Sequence, residues 1–189
     1  MGLLAISLGV ITGWLRGGSL RRLAYASLEK QELIIAALLL QALLAVAGRA
    51  GWSPVAAWAP FILLLSYGIL LYAFWGQTRL PGFKAVFTGV VLNVAAISAN
   101  GGRMPVATEA LARLGVDAVS LPPERVLTHV LLPQSDMRLA FLGDIIPIPL
   151  ALPWQAVVSV GDLALYAGIF WFVAQGMTAP VVAPPRRQC

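Results

Sequence analysis

The 189-residue chain is 59% hydrophobic and 11% charged, and between Glu32 and Arg103 its only charged residues are Arg49, Arg79 and Lys84. So little charge cannot coat a soluble domain, so the chain reads as one all-α polytopic membrane domain with no room for a second sizeable core. One cysteine, Cys189, and one histidine, His129, exclude an intramolecular disulfide, a cysteine cluster, a multi-histidine zinc site and a haem histidine pair, so no metal and no cofactor is expected.

The apolar start lacks a basic flank, so no cleaved secretory signal is expected. Met1-Gly2 does not read as a myristoylation site, because Ile6 stands where that motif needs Ser or Thr. Five spans are expected, over about 3–15, 33–47, 55–75, 85–98 and 154–173. The first is short and must borrow Arg16 by snorkelling or tilt little. Its Gly9, Gly13 and Gly17 recur every fourth residue and make a smooth face for another helix, inside the monomer in preference to a dimer; the oligomeric state stays open. Gln41 lies inside the second span, and Pro60, Ser66 and Tyr67 inside the third. Trp14, Trp52, Trp58, Trp75 and Trp154 fall near span ends, where an amphipathic ring prefers the membrane interface.

The charges orient the spans. Arg16, Arg21, Arg22, Lys30, Arg79, Lys84, Arg186 and Arg187 share one side with only Glu29 and Glu32, while the other side carries more acidic than basic residues. The positive-inside rule then places the N-terminus outside and the C-terminus in the cytoplasm. The net charge of +5 is thereby assigned to topology, and nucleic acid is not an expected partner.

Residues 99–153 form an outer segment. Ala107–Leu114 reads as a short amphipathic helix, and Pro122-Pro123 stops any helix there. Val126–Leu132 is a further apolar piece that carries His129. Pro147, Pro149 and Pro153 make 143–153 extended, lying on or dipping into the outer membrane face. The tail from 179 to 189 reads as disordered.

Three polar clusters converge on the outer side. Asn100-Gly101-Gly102-Arg103 is either a helix stop or a glycine turn whose amides, with Asn93 on the same helix face, hold a substrate or an anion. Gly143-Asp144 is the second cluster and Ser159-Val160-Gly161-Asp162 the third. If the last span begins near Trp154, Asp162 is an intramembrane carboxylate, which is a functional candidate. Alternatively, Ser159 with Asp162 three residues later is a capping box that starts the helix at Ser159. Asp144 and Asp162 are candidate catalytic partners, one activating water and the other donating a proton. His129, as an interfacial residue, and Ser159 complete the candidate binding set.

From Asn100 onward, NGGRMPV, LGDIIPIP and SVGDLALYAGI resemble an uncharacterised family of small bacterial integral membrane proteins. That resemblance implies the bacterial inner membrane and no known activity. The stretch from Gly143 to Phe172 is also similar in layout to the end of lipoprotein signal peptidase, the membrane aspartyl peptidase of bacteria. That likeness implies catalytic roles for Asp144 and Asp162, with Asn100-Gly101-Gly102 in a substrate-binding position. Ser159 and Gly161 depart from its Asn and Ala, Ile145 stands where an Arg follows the first Asp, and the span number differs.

Three functions are expected in order. The first is a non-catalytic accessory protein that binds lipid or a membrane protein or peptide. The second is a membrane-embedded aspartyl hydrolase using Asp144 and Asp162, and the third is a small-molecule transporter. Transport comes last because the spans hold few polar residues and show no inverted repeat.

Overall fold

The computed structural model describes residues 1–24, 28–116, 122–149 and 156–179. It is mostly helical with a few short strands. In order, the chain forms α1 (Gly2–Leu15), α2 (Leu20–Ala24), α3 (Gln31–Arg49), α4 (Ser53–Ala56), α5 (Ala59–Trp75), α6 (Phe83–Ala99), β1 (Met104–Ala107), α7 (Thr108–Arg113), β2 (His129–Leu132), β3 (Ile146–Ile148), β4 (Ala156–Val158) and α8 (Val160–Thr178). By length and composition α3 and α8 are apolar enough to cross a membrane, and α1, α5 and α6 are shorter apolar helices.

The long helices match the apolar segments of the sequence, with three differences. The segment expected from 55 splits into α4 and α5, because Pro60 lies in the first turn of α5, where its missing N–H is harmless. The helix expected from Trp154 begins instead at Val160, since Ser159 caps it, so Asp162 lies in its first turn. Trp154 itself and residues 180–189 lie outside the described residues. Gly17 leaves the glycine face of α1: it sits past the helix end in the left-handed region at φ 73°, with nothing near the position of a Cβ.

Helix α8 is the hub. On one side it packs against α6, where Gly82 and Gly89 meet Gly168 and Gly161 across an antiparallel seam. A methyl group at any of these four would run into backbone of the facing helix, so the seam exists only because the residues are glycine. On the other side α1 brings Gly9 against Val173 and Gly13 against Met177. A second layer pairs α3 with α5, and α5 with α6. Leu70, Phe74, Phe83, Val86 and Val90 fill the space between them, with Phe83 edge-on to both Phe74 and Phe172. Two polar side chains on facing helices pair with each other. Gln41 Nε2 donates to Ser66 Oγ (3.1 Å), and Ser66 Oγ donates to the Leu63 carbonyl (2.7 Å).

The helix ends alternate. At one end, the backbone of Ser19 after α1 donates to Met177 in α8, and Gln77 after α5 donates to the Glu29 carbonyl before α3. At the other end, Gly48 of α3 abuts Pro123 of the segment between α6 and α8. That segment has its own apolar cluster of Val106, Ala107, Ala110, Met137 and Val157. β1 pairs in parallel with β2, Met104 opposite His129, and β3 pairs antiparallel with β4, Ile146 opposite Val158. The expected amphipathic helix is α7, the apolar piece from 126 to 132 contributes β2, and the described part of 143–153 is extended as its prolines require. The segment is therefore a small α/β cap rather than an irregular loop.

The glycine seam is testable against Gly68, which lies mid-α5 with open space at its Cβ position. Gly168→Val should lower the melting temperature measurably, by overpacking of about 1–3 kcal/mol. Gly68→Ala should leave it unchanged or slightly higher, as helix propensity favours Ala by about 0.5–1 kcal/mol. Equal melting of the two variants would show that the seam is not close-packed.

Candidate functional site

Asn93 is the residue around which the site is built. It sits on α6, buried, one turn before the helix reaches Ala96 and Ile97. An amide in an apolar helix must be satisfied from a neighbouring helix. Asn93 Nδ2 donates to Asp162 Oδ1 (2.8 Å), and Asn93 Oδ1 accepts from Ser159 Oγ (3.0 Å). Ser159 Oγ accepts from the Asp162 backbone N–H (2.9 Å), and Asp162 Oδ2 accepts weakly from the Ser159 N–H (3.4 Å), which completes a reciprocal cap. Gly161 makes the arrangement possible, because a Cβ there would overlap the Asn93 side chain. The Ser-x-Gly-Asp motif thus has a structural account: Ser caps, Gly admits Asn93, and Asp closes the box while still facing a cavity.

Asp144 reaches the same place from the cap. Its N–H donates to the Pro105 carbonyl (2.9 Å), and its carbonyl accepts from the Ala107 N–H (3.0 Å). β1 is thereby flanked by β2 on one edge and by Asp144 on the other. Gly143 eases the approach, since a Cβ there would push on the end of the Met137 side chain and press close to the Pro105 backbone.

Two small cavities, of about 120 and 210 Å³, share Asp144, Asp162 and His129 as lining residues. The first extends among the helices to Gln41, Tyr67 and Asn93, and the second reaches Met1, Arg125, Tyr166 and β4. Asp144 is 2% exposed, and its Oδ1 is buried with no hydrogen-bond partner among the described residues. Burial, reinforced by the charge of Asp162 and opposed by that of Arg125, holds its carboxyl well above the ordinary value. His129 Nδ1 lies 2.8 Å from Thr128 Oγ1, and its Nε2 lies 3.9 Å from Asp144 Oδ2. That second separation is too long for a hydrogen bond. Burial, with the charge of Arg125, also pushes the imidazole down to about 3, so His129 faces Asp144 as a neutral ring and not as an ion-pair partner.

The structure brings together Asp144, Asp162, His129, Asn93 and Ser159. It places Asn100, Gly101, Gly102 and Arg103 elsewhere: none of them lines either cavity. Asn100 ends α6, donating from Nδ2 to the Ala96 and Arg138 carbonyls and accepting from the Arg138 N–H. Gly101 and Gly102 follow in the left-handed region, Gly102 tight against Pro60. This is the helix stop. Tyr67, Gln41, Thr128, Arg125 and Tyr166 join the site without having been singled out for it. A polar residue within an apolar helix was the available signal for Gln41 and Tyr67, and nothing local marked Arg125 or Thr128. No group of three or more His, Cys, Asp or Glu side chains suited to a metal occurs among the described residues.

Fold and site together define a mostly helical protein, with two helices able to cross a membrane, whose α/β cap closes a buried acidic chamber. Residues 25–174 match the family of unknown function DUF5317, and the chain belongs to that family. A Thermotoga maritima protein described as an uncharacterized protein is 33% identical over 117 residues, which covers 61% of this chain and 64% of that relative. The match therefore spans less than two thirds of the relative's length. No solved structure matches the chain.

Asp144 and His129 make opposite demands on pH. Asp144, with its raised value, adds stability below the ordinary 3.8 and loses that contribution as pH rises through its folded value. His129, lowered from 6.5 to about 3, adds stability above 6.5 and loses it as pH falls through that window. Asp144→Asn should therefore melt higher than wild type at neutral pH, with the gap closing toward acid. His129→Gln should flatten the acid limb. Melting curves over the pH range check both signs, and an Asp144→Asn variant less stable at neutral pH would contradict the assigned burial.

Proposed function

We propose that the protein is a five-span membrane protein, N-terminus outside, whose chamber is the reactive centre of a hydrolase acting on an amide or ester of a membrane-bound substrate. The five apolar helices with alternating ends, and the crowding of basic residues at the end opposite the cap, support the topology. Of the five exposed described tryptophans, Trp14, Trp52, Trp58 and Trp75 lie at helix ends as interfacial residues do, and Trp171 lies within α8.

The observation that carries the chemistry is the pair of unlike carboxylates on one cavity. Asp144 is buried with an unmet oxygen, whereas both oxygens of Asp162 accept hydrogen bonds. Environments that separate two carboxylates mark an acid and a base. In this reading the two carboxylates, which no hydrogen bond joins directly, flank a water. Asp162 takes a proton from that water as its oxygen bonds to the carbonyl carbon, and Asp144 gives its proton to the carbonyl oxygen. The tetrahedral species then collapses. Asp162 passes its proton to the leaving amine or alcohol as the C–N or C–O bond breaks, and Asp144 recovers a proton from the hydroxyl that becomes the new carbonyl. In this reading Tyr67 and Tyr166, which line the two cavities, add hydrogen bonds to that carbonyl oxygen. The layout shared with lipoprotein signal peptidase supports the same assignment, although its Asn-x-Gly segment has no counterpart at this chamber.

One observation favours a second reading. The capping box and Asn93 account for the position of Asp162 with no chemistry at all. In that case the protein is a non-catalytic partner or lipid binder.

Purified full-length protein in lipid nanodiscs, offered fluorogenic membrane-anchored peptides, lipopeptides and phospholipid esters, separates the two. Wild type should turn over at least one class, and Asp144→Asn and Asp162→Asn should each reduce the rate by roughly 100-fold or more while the fold persists. Turnover absent across the panel, or equal in wild type and both variants, removes the hydrolase and leaves the binder.

A further inference from the structure

A further cavity lies at the opposite end of the helices from the acidic chamber. It measures about 420 Å³, within the range for small-ligand sites. Its walls include Glu29, just before α3, and Trp75, Gln77, Thr78 and Arg79, at and beyond the end of α5.

Gln77 is the unusual member. It is 2% exposed, and its Nε2 donates to the carbonyls of Glu29 (2.9 Å) and Ala73 (3.0 Å). Both amide hydrogens are thereby used, which fixes the orientation of the amide. Oε1 is left buried with no partner among the described residues. The Glu29 carboxylate lies beside Gly76, 3.6 Å from where a Cβ would stand, and no described Lys or Arg pairs with it. The neighbouring Lys30 is engaged elsewhere, 3.8 Å over the Tyr72 ring. Arg79 is likewise unpaired among the described residues. The pocket is therefore lined by Gln77, whose amide oxygen is unmet, and by an unpaired carboxylate, an aromatic ring and an unpaired guanidinium.

We propose that this pocket binds a compound carrying both a primary ammonium and an anionic group, in the manner of a phosphoethanolamine headgroup. The ammonium has three N–H donors, enough for Gln77 Oε1 and the Glu29 carboxylate, and Trp75 offers it a π face. Arg79 takes the phosphate or carboxylate. A quaternary ammonium has no N–H and cannot satisfy Gln77. A bare metal ion would find too few oxygens and a repelling arginine. The proposal is independent of the hydrolase assignment. Only the choice of a membrane lipid as the source rests on the five-span topology, which puts this end of the helices at the cytoplasmic headgroups.

The test is calorimetric titration of the full-length protein in detergent with short-chain phosphatidylethanolamine, its choline and glycerol counterparts, and free phosphoethanolamine. The ethanolamine lipid should bind about tenfold or more tighter than the choline lipid, the scale of a hydrogen bond to a charged group. Glu29→Gln and Arg79→Gln, both at exposed positions, should each weaken it by a similar factor, with an unchanged melting temperature reporting an intact fold. Free phosphoethanolamine binding as tightly as the lipid identifies a soluble ligand, and much weaker binding identifies the lipid; both outcomes support the ammonium-and-anion site. Equal affinity for the ethanolamine and choline lipids, no effect of Glu29→Gln, or binding of no amine probe overturns it.

Discussion

The contact on which the rest of the molecule depends is the close approach of α6 and α8. Four glycines, Gly82, Gly89, Gly161 and Gly168, let the two backbones touch. At the end of that seam nearest the cap Asn93 locks onto Ser159 and Asp162. The glycine contacts already restrict the register, because a shift along the seam would bring a side chain to where backbone meets backbone. The amide lock adds to this, since an unsatisfied Asn93 in an apolar interior costs about 1–3 kcal/mol. With the register set, α8 also presents its other face to Gly9 and Gly13 of α1.

The acidic chamber is a consequence of that lock and of a separate backbone constraint. Asp162 belongs to the helix cap, whereas Asp144 is held by two main-chain hydrogen bonds to the strand that leaves α6. Because β1 follows the end of α6 by only a glycine turn, the position of α6 decides where both carboxylates lie. The side chain of Asp144 is then taken out of water with one of its oxygens lacking a hydrogen-bond partner among the described residues. Burial without compensation is unfavourable for stability. Gln77, at the far end of the bundle, likewise has a buried oxygen with no partner among the described residues.

Much of the site could be read along the chain. Ser159 and Asp162 announced a capping box by their spacing, and the structure contains it. The glycines after Asn100 announced a helix stop, and both adopt the left-handed conformation. The start of the last helix was less legible, because hydropathy runs through 154–160 without a break and only the cap places the boundary. Asn93 stood out as an amide in an apolar run, but its partners did not. Gly82, Gly89, Gly161 and Gly168 share a spacing of seven that is visible only once the two helices are known to face each other. Arg125 and Thr128 gave no signal, since nothing local distinguishes a surface loop residue from one folded over a cavity.

The sequence by itself determined what local chemistry determines: apolar segments separated by basic and acidic ends, the helix stops and caps, and the extended character of a proline-rich stretch. Each follows from hydropathy, backbone sterics or hydrogen bonds between near neighbours. Only the tertiary structure decided that Asp144, Asp162 and His129 line common cavities while Asn100, Gly101, Gly102 and Arg103 do not. It alone decided that Gln77 ends with a buried oxygen unmet. Those outcomes depend on β1 pairing with residues far along the chain and on helices meeting through glycine, interactions whose partners no local pattern specifies.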